Sequence, residues 1–342
     1  MQKSILSLAI GAFSLFSLSN AQAHVSADGH APAGVMYEHM HKAGDFMLGY
    51  NVQRLSQDGA YYHGDNKLAA NSDLLKPYSM LTQDHDMYMH MLHLMYAPTD
   101  NLSLMLMPMY MSMDMGMQMN MHGDSGHGAH GGMHSMSHSH SVKGWGDTIL
   151  SASYRAFQND QHQVITTLAL SAPTGDYKKK GSDGLPVHYG MQLGAGLWQA
   201  MPSVTYIYTQ DQVKLGAQVA TRQPIFDDAN DLGYYAGDQR SATAWASYLW
   251  HDNISTSVRI QYQNTDTIQG HYKDVHKHSA AADLQGNYGG EQTFAGVGVN
   301  TLIPSLGNLR VGAEYMLPIH ENLNGVQQQT SDIWNISISK AF

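Results

Sequence analysis

The fold class predicted by the sequence is all-β, a transmembrane antiparallel up-and-down β-barrel of about twelve strands, and three observations predict it. Twelve segments alternate apolar and polar residues with the period of two that a strand imposes. Their connections are short on one side and long and polar on the other, the pattern of periplasmic turns and extracellular loops. Beyond the amino-terminal residues, no run approaches the roughly 18 continuous apolar residues of a membrane helix. A closed sheet is then the way for the backbone to satisfy its polar groups in lipid.

Residues 1–23 read as a secretory signal, with Lys3 at the positive end, an apolar core from Ile5 to Leu18, and Ala21-Gln22-Ala23 as a small-residue cleavage site. Residues 24–43, punctuated by Gly and Pro, are expected at the periplasmic mouth, and residues 44–342 form the barrel. Phe46, Leu48, Tyr50 and Val52 mark the first strand. A methionine-rich hairpin supplies the second and third. The fourth carries Thr148, Leu150, Ala152 and Tyr154, and the fifth Val164, Thr166, Leu168, Leu170 and Ala172. Val204 to Tyr208 lies in the sixth, Val213 to Val219 in the seventh, Ala242 to Trp250 in the eighth and Ile254 to Tyr262 in the ninth. Val297 and Val299 belong to the tenth, Leu309 to Leu317 to the eleventh, and Trp334, Ile336, Ile338 and Phe342 to the twelfth. The long loops are expected at 56–86, 174–190, 223–240, 264–291 and 320–331, with a Met/His-rich extracellular loop at 112–146.

The chain has no cysteine, so any soft-metal chemistry must use other donors. A net charge of −10 argues against a nucleic-acid partner. Charged residues make up only 13%, and there are 20 tyrosines, which suits a barrel with aromatic girdles in an outer membrane.

The hairpin is the chemically distinctive stretch. Met87, Met89, Met91, His93 and Met95 share one strand face, opposite Tyr88, His90, Leu92, Leu94 and Tyr96. After the turn at 97–101, Met105, Met107, Met109, Met111, Met113 and Met115 again share a face, opposite Leu102, Leu104, Leu106, Pro108 and Tyr110. Of 23 methionines, 16 fall between Met80 and Met136, a clustering that generic core filling does not explain. With the Leu/Tyr side toward lipid, the methionines point into the lumen. His90 is the misfit, since this register puts it on the lipid side.

Thioethers favour Cu(I), whereas imidazole accepts Cu(II), Zn, Ni or Fe. The methionine faces with His93 are therefore candidate metal contacts. So are His122, His127, His130, His134, His138 and His140, set among Gly and Ser in a loop too polar to build a core. His39 and His41 are candidate receivers on the periplasmic side, and His271, His276 and His278 are a weaker outer cluster. Gly123-Asp124-Ser125-Gly126 resembles a hydrolase nucleophile turn but has no placed base, and no phosphate loop or dinucleotide fingerprint occurs. The expectation is a non-enzyme.

The sequence also resembles a family of bacterial outer-membrane transporters grouped with the meta-pathway phenol-degradation barrels. The resemblance runs through GVMYEHMHKAGDFM, MYAPTDNLSLMLM, GWGDTILSASYR, LALSAPTGDY, MQLGAGLWQAMPSVTY, GDQRSATAWASYLW, NYGGEQTFAGVGVN and LPIHENLNGVQQQ. It implies a barrel of this size and a transport role, and leaves the substrate open.

Three functional readings follow. The first is an outer-membrane channel that binds copper, or another soft or borderline metal, at its outer loop and passes it along a methionine-lined lumen. No cofactor is required in it beyond that ion, and a periplasmic metal-handling protein would be its partner. The second is a channel for small aromatic or hydrophobic compounds, with the methionines as an apolar slide. The third is a surface metal-sequestering protein that uses the barrel as an anchor.

Overall fold

The computed structural model describes residues 26–120, 137–226 and 228–342. Its long strands are β1 (Phe46–Gly64), β2 (Met80–Thr99), β3 (Leu102–Met107), β4 (Met109–Met119), β5 (Ser137–Trp145), β6 (Thr148–Gln158) and β7 (His162–Ala172). They continue with β8 (Gln199–Gln210), β9 (Val213–Pro224), β10 (Gln239–His251), β11 (Ile254–Thr265), β12 (Gly290–Ile303) and β13 (Leu309–Ala341). Neighbours pair antiparallel around the ring, and β1 pairs with both β2 and β13, which closes it. No edge is left facing lipid in the ring.

β13 is one extended segment of 33 residues that doubles back at Gly325, whose φ is 56°. Its first arm pairs with β12 and its second with β1. Between the arms, Asn335 donates to Glu314 and the Tyr315 ring lies 4.5 Å from that of Trp334. With β3 and β4 sharing one span and β5 outside the ring, eleven segments, one of them doubled, give the expected twelve crossings.

β3 and β4 are divided at Pro108, which has no N–H to give the ladder. Its carbonyl still accepts the Leu92 N–H at 3.1 Å. Below the break β3 pairs with β6. Above it β4 pairs with β5 instead, so this hairpin projects past the rim.

The expected loop 112–146 is therefore corrected: both its flanks are strand, and only 121–136 lie outside the described residues. The expected loop 320–331 is likewise strand within β13, and 56–86 shrinks because β1 runs to Gly64 and β2 starts at Met80. Above the lipid a strand needs no apolar outer face. Pairing continues there after the hydrophobic alternation has faded.

The connections at 100–101, 159–161, 211–212, 252–253 and 304–308 are the short ones. The outer wall carries the apolar residues, as at Leu104 (42% exposed), Leu106 (39%), Val204, Val258 and Ile336. Tyr154, Tyr206 and Trp250 face outward toward the short-turn end, and Trp145 and Trp198 toward the other. These are the positions of aromatic girdles. His90 does sit on the outer face, and the Tyr50 hydroxyl satisfies it at 2.7 Å from Nδ1.

The lumen on the β6–β8 side is lined by small polar residues, among them Ser151, Ser153, Thr167, Ser203 and Thr205. They leave room that residues 26–45 fill. This segment, expected at the mouth, starts there, with the Ala27 N–H on the Asp252 carbonyl (2.8 Å). It climbs to Gly34, whose N–H donates to Glu314 at 2.9 Å, and to Met36, whose carbonyl accepts from Gln218 at 2.7 Å.

Tyr37 turns the chain with a positive φ of 62°, and the descent ends with the Gly44 N–H on the Ala97 carbonyl. Ala31 and Val35 pack on Ile165, Ile207 and Trp245. A Cβ on Gly34 would lie 2.5 to 2.7 Å from the side-chain ends of Glu314, Asn335 and Arg259, so any larger residue there must displace them. Residues 26–45 are a plug.

Candidate functional site

The register brings the two methionine faces together as the sequence predicted. Met95 lies opposite Met105, Met91 opposite Met109, Met89 opposite Met111 and Met87 opposite Met113. Directly opposed side chains have Cβ atoms about 4.5–5.5 Å apart, so adjacent thioethers touch. All point inward: Met107 and Met113 are each 2% exposed, and Met91, Met95, Met105, Met109, Met111, Met115 and Met117 are buried. Met87 and Met89 are half-buried against them.

The methionines form one continuous column. From Met105 to Met117 it rises roughly 40 Å at about 3.3 Å per residue. Met105, Met107 and Met109 stand within the ring, beside Ile149 and Ala169. Met111, Met113, Met115 and Met117 stand on the projecting hairpin β4–β5. There Val142 and the loop residues Val187, Met191 and Leu193 cover them.

That cover is anchored firmly. His188 Nδ1 lies 2.6 Å from Asp283 Oδ1 with both side chains buried, and Tyr189 stacks on Tyr272 at 4.4 Å beside Tyr234. Burial alone would push the Asp283 carboxyl up. Its contact with His188 and the backbone N–H groups of Ala280 and Ser279 outweigh this and hold it below its ordinary 3.8.

At the foot of the column is a small cavity of about 60 Å³ between plug and wall. It is bounded by His39 of the plug and by His93, Met47, Met95 and Met105 of the wall. Gly49, opposite His93 in the ladder, leaves room for the imidazole: a Cβ there would lie 3.3 Å from His93 Cβ. His93 Nε2 is buried without a partner.

Within the plug, Glu38 Oε1 lies 3.2 Å from His30 Nδ1 and 3.0 Å from His39 Nδ1. The His39 ring is 3.8 Å from that of His30 and 4.9 Å from that of His41. Burial, reinforced by His39, pushes the His41 imidazole down to about 3, so it is neutral at physiological pH.

Of the outer histidines, His122, His127, His130 and His134 lie outside the described residues. His138 is on β5, its side chain likewise outside them, and the His140 ring sits 5.5 Å from that of His188. The sequence reading named His39 and His41 but missed His30 and Glu38. The local signal was the density of Glu38-His39-Met40-His41. Nothing in it said that the segment folds back beside His30 inside the barrel.

Over residues 90–303 the chain matches the family described as "Putative MetA-pathway of phenol degradation". No curated protein matches it. An outer membrane channel from Pseudomonas putida F1 is similar in fold, with a TM-score of 0.60 at 15% identity over 92% of this chain and all of that one. A FadL homologue from Pseudomonas aeruginosa is more distant, at 0.41 and 11% identity over 86% of this chain and 90% of that one. The chain belongs to the family of that description, and it has the β-barrel fold of that outer membrane channel.

Proposed function

We propose that the channel carries small hydrophobic molecules, aromatic ones among them, along the methionine column. The observation that carries this reading is the column itself: a buried, uncharged path from the loop cover down to the plug. The family's description, phenol degradation, names an aromatic compound class. Thioethers suit such cargo. Each sulfur contact with a ring contributes about 0.3–1.5 kcal/mol and tolerates many ring orientations. A series of weak contacts lets cargo advance where one tight pocket would hold it. Both ends are covered, above by the 173–198 and 266–289 loops and below by the plug, so passage requires these segments to move.

Passage of a soft metal ion such as copper is the second reading. What favours it is that the column is methionine, where leucine or valine would serve an apolar slide equally well, and that it ends at His93. Replacing Met105, Met107, Met109 and Met111 by Leu separates the two, since leucine preserves apolarity and removes the sulfur donors. The first reading expects phenol uptake into proteoliposomes to stay within about threefold of the parent, because only the modest sulfur–ring term is lost. Replacing Met107 and Met109 by Gln should abolish that uptake. Phenol uptake untouched by glutamine, together with copper flux lost on leucine substitution, would reverse the order of the readings.

A further inference from the structure

We infer that the plug holds a metal site for a borderline divalent transition ion, with His30, Glu38 and His39 as its ligands. The inference does not rest on what the column carries. One ligand atom from each of the three residues lies within 4.8 Å of the other two. Ligands on a tetrahedral ion at about 2.0–2.1 Å sit roughly 3.3 Å apart, so small rotations of the side chains complete the shell.

Three further observations point to an ion in place of a simple His–Glu contact. Glu38 is 5% exposed, and among the described residues no lysine or arginine pairs with it. A buried carboxylate is costly unless a charge compensates it. Both imidazoles direct Nδ1 at the same carboxylate oxygen, at 3.2 Å from His30 and 3.0 Å from His39, a convergence that one ion would share. The other ring nitrogen of His39, Nε2, is buried without a partner. An ion bound through one of these nitrogens would satisfy it and at the same time compensate the buried carboxylate.

Two imidazoles and a carboxylate suit Zn(II), Ni(II) or Cu(II) better than the hard cations Mg(II) and Ca(II). The site adjoins the cavity that His93, Met47 and Met95 line, leaving a position for a fourth donor. His30 lies on the rising arm of the plug, and Glu38 and His39 lie beyond the turn at Tyr37. An ion between them would clasp the two arms together.

The test uses the full chain, stripped of metal with a chelator and folded in detergent. Zn(II) and Cu(II) are titrated by calorimetry, and crystals soaked in Zn(II) are examined for anomalous density. The parent should bind one equivalent more than His30→Gln/His39→Gln, because the outer-loop histidines are common to both. A peak should stand between His30, Glu38 and His39. Glu38→Gln, nearly isosteric, should weaken this site by more than the roughly 10–100-fold seen when only a ligand's supporting partner is removed. Heat-modifiable migration on gels reports that each barrel is folded. If the double variant does not fold, Glu38→Gln and the soaked parent crystal decide the matter alone. Equal stoichiometry in folded parent and double variant, or no anomalous peak among these three residues, would overturn the inference. So would undiminished affinity in folded Glu38→Gln.

Discussion

Replacing Gly34 by Val should unseat the plug. Three hydrogen bonds hold its upper part within a few residues of each other: Gly34 N–H to Glu314 at 2.9 Å, Asn51 to the Ala33 carbonyl at 2.8 Å, and Gln218 to the Met36 carbonyl at 2.7 Å. The first has an ionised acceptor and contributes about 1.5–3 kcal/mol, and the other two about 1 kcal/mol each. A Cβ at residue 34 falls within 2.7 Å of the side-chain ends of Glu314, Asn335 and Arg259, which must shift to admit it. Arg259 and Glu314 are held to each other at 3.0 Å in the buried wall. Loss of all three bonds removes about 3.5–5 kcal/mol from the seated state. At 1.4 kcal/mol per factor of ten, the unseated population rises on the order of 300- to 4000-fold. Planar-bilayer recordings should show this as long openings where the parent shows rare brief ones. Parent-like conductance from a folded Gly34→Val barrel would refute the reasoning that this close approach latches the plug.

Trp245, buried over Gly216, is the apolar counterpart of that latch. Trp245→Ala should cost about 3–5 kcal/mol and speed protease cleavage within residues 26–45 while the barrel remains folded; unchanged protection would count against the packing role. The extracellular cover should loosen in acid. The folded-state pKa of Asp283 is depressed, so its contribution is fully present above its unfolded value of about 3.8 and is lost as pH falls through the lower folded value. Hydrogen exchange of loops 173–198 and 266–289 should accelerate below that pH in the parent, and Asp283→Asn should remove that pH dependence; an identical acid profile in both would contradict the assignment.

Much of the wall was legible because lipid imposes a rule on each residue. Leu104 and Leu106 must face out, so Met105 and Met107 must face in, and the register needs no further information. The rule stops at the lipid boundary. The outward faces of Asn322 to Thr330 are polar, so a strand there reads like a loop. Likewise Ser137 to Trp145 pairs with β4 although its sequence, SHSHSVKGW, has almost no apolar face. The plug was hidden for a different reason. Its seat is made by Gly34, Arg259, Glu314 and Asn335, residues brought together from distant parts of the chain. Glu314 and Asn335 alternate with lipid-facing neighbours as any lumen residue would. Their sequence gives the face but not the occupant. His30 and His39 meet only because the chain reverses at Tyr37, a non-glycine residue in a left-handed conformation that local pattern does not predict.

The most direct measurement is a crystal of the full chain soaked with 4-bromophenol, with bromine located by its anomalous signal. A peak along the methionine column, within van der Waals reach of Met105, Met107, Met109 or Met113, is the expected result. Bromine found only on the outer wall or nowhere, in crystals where the plug is seated and in crystals of Gly34→Val alike, would contradict the methionine column as the path.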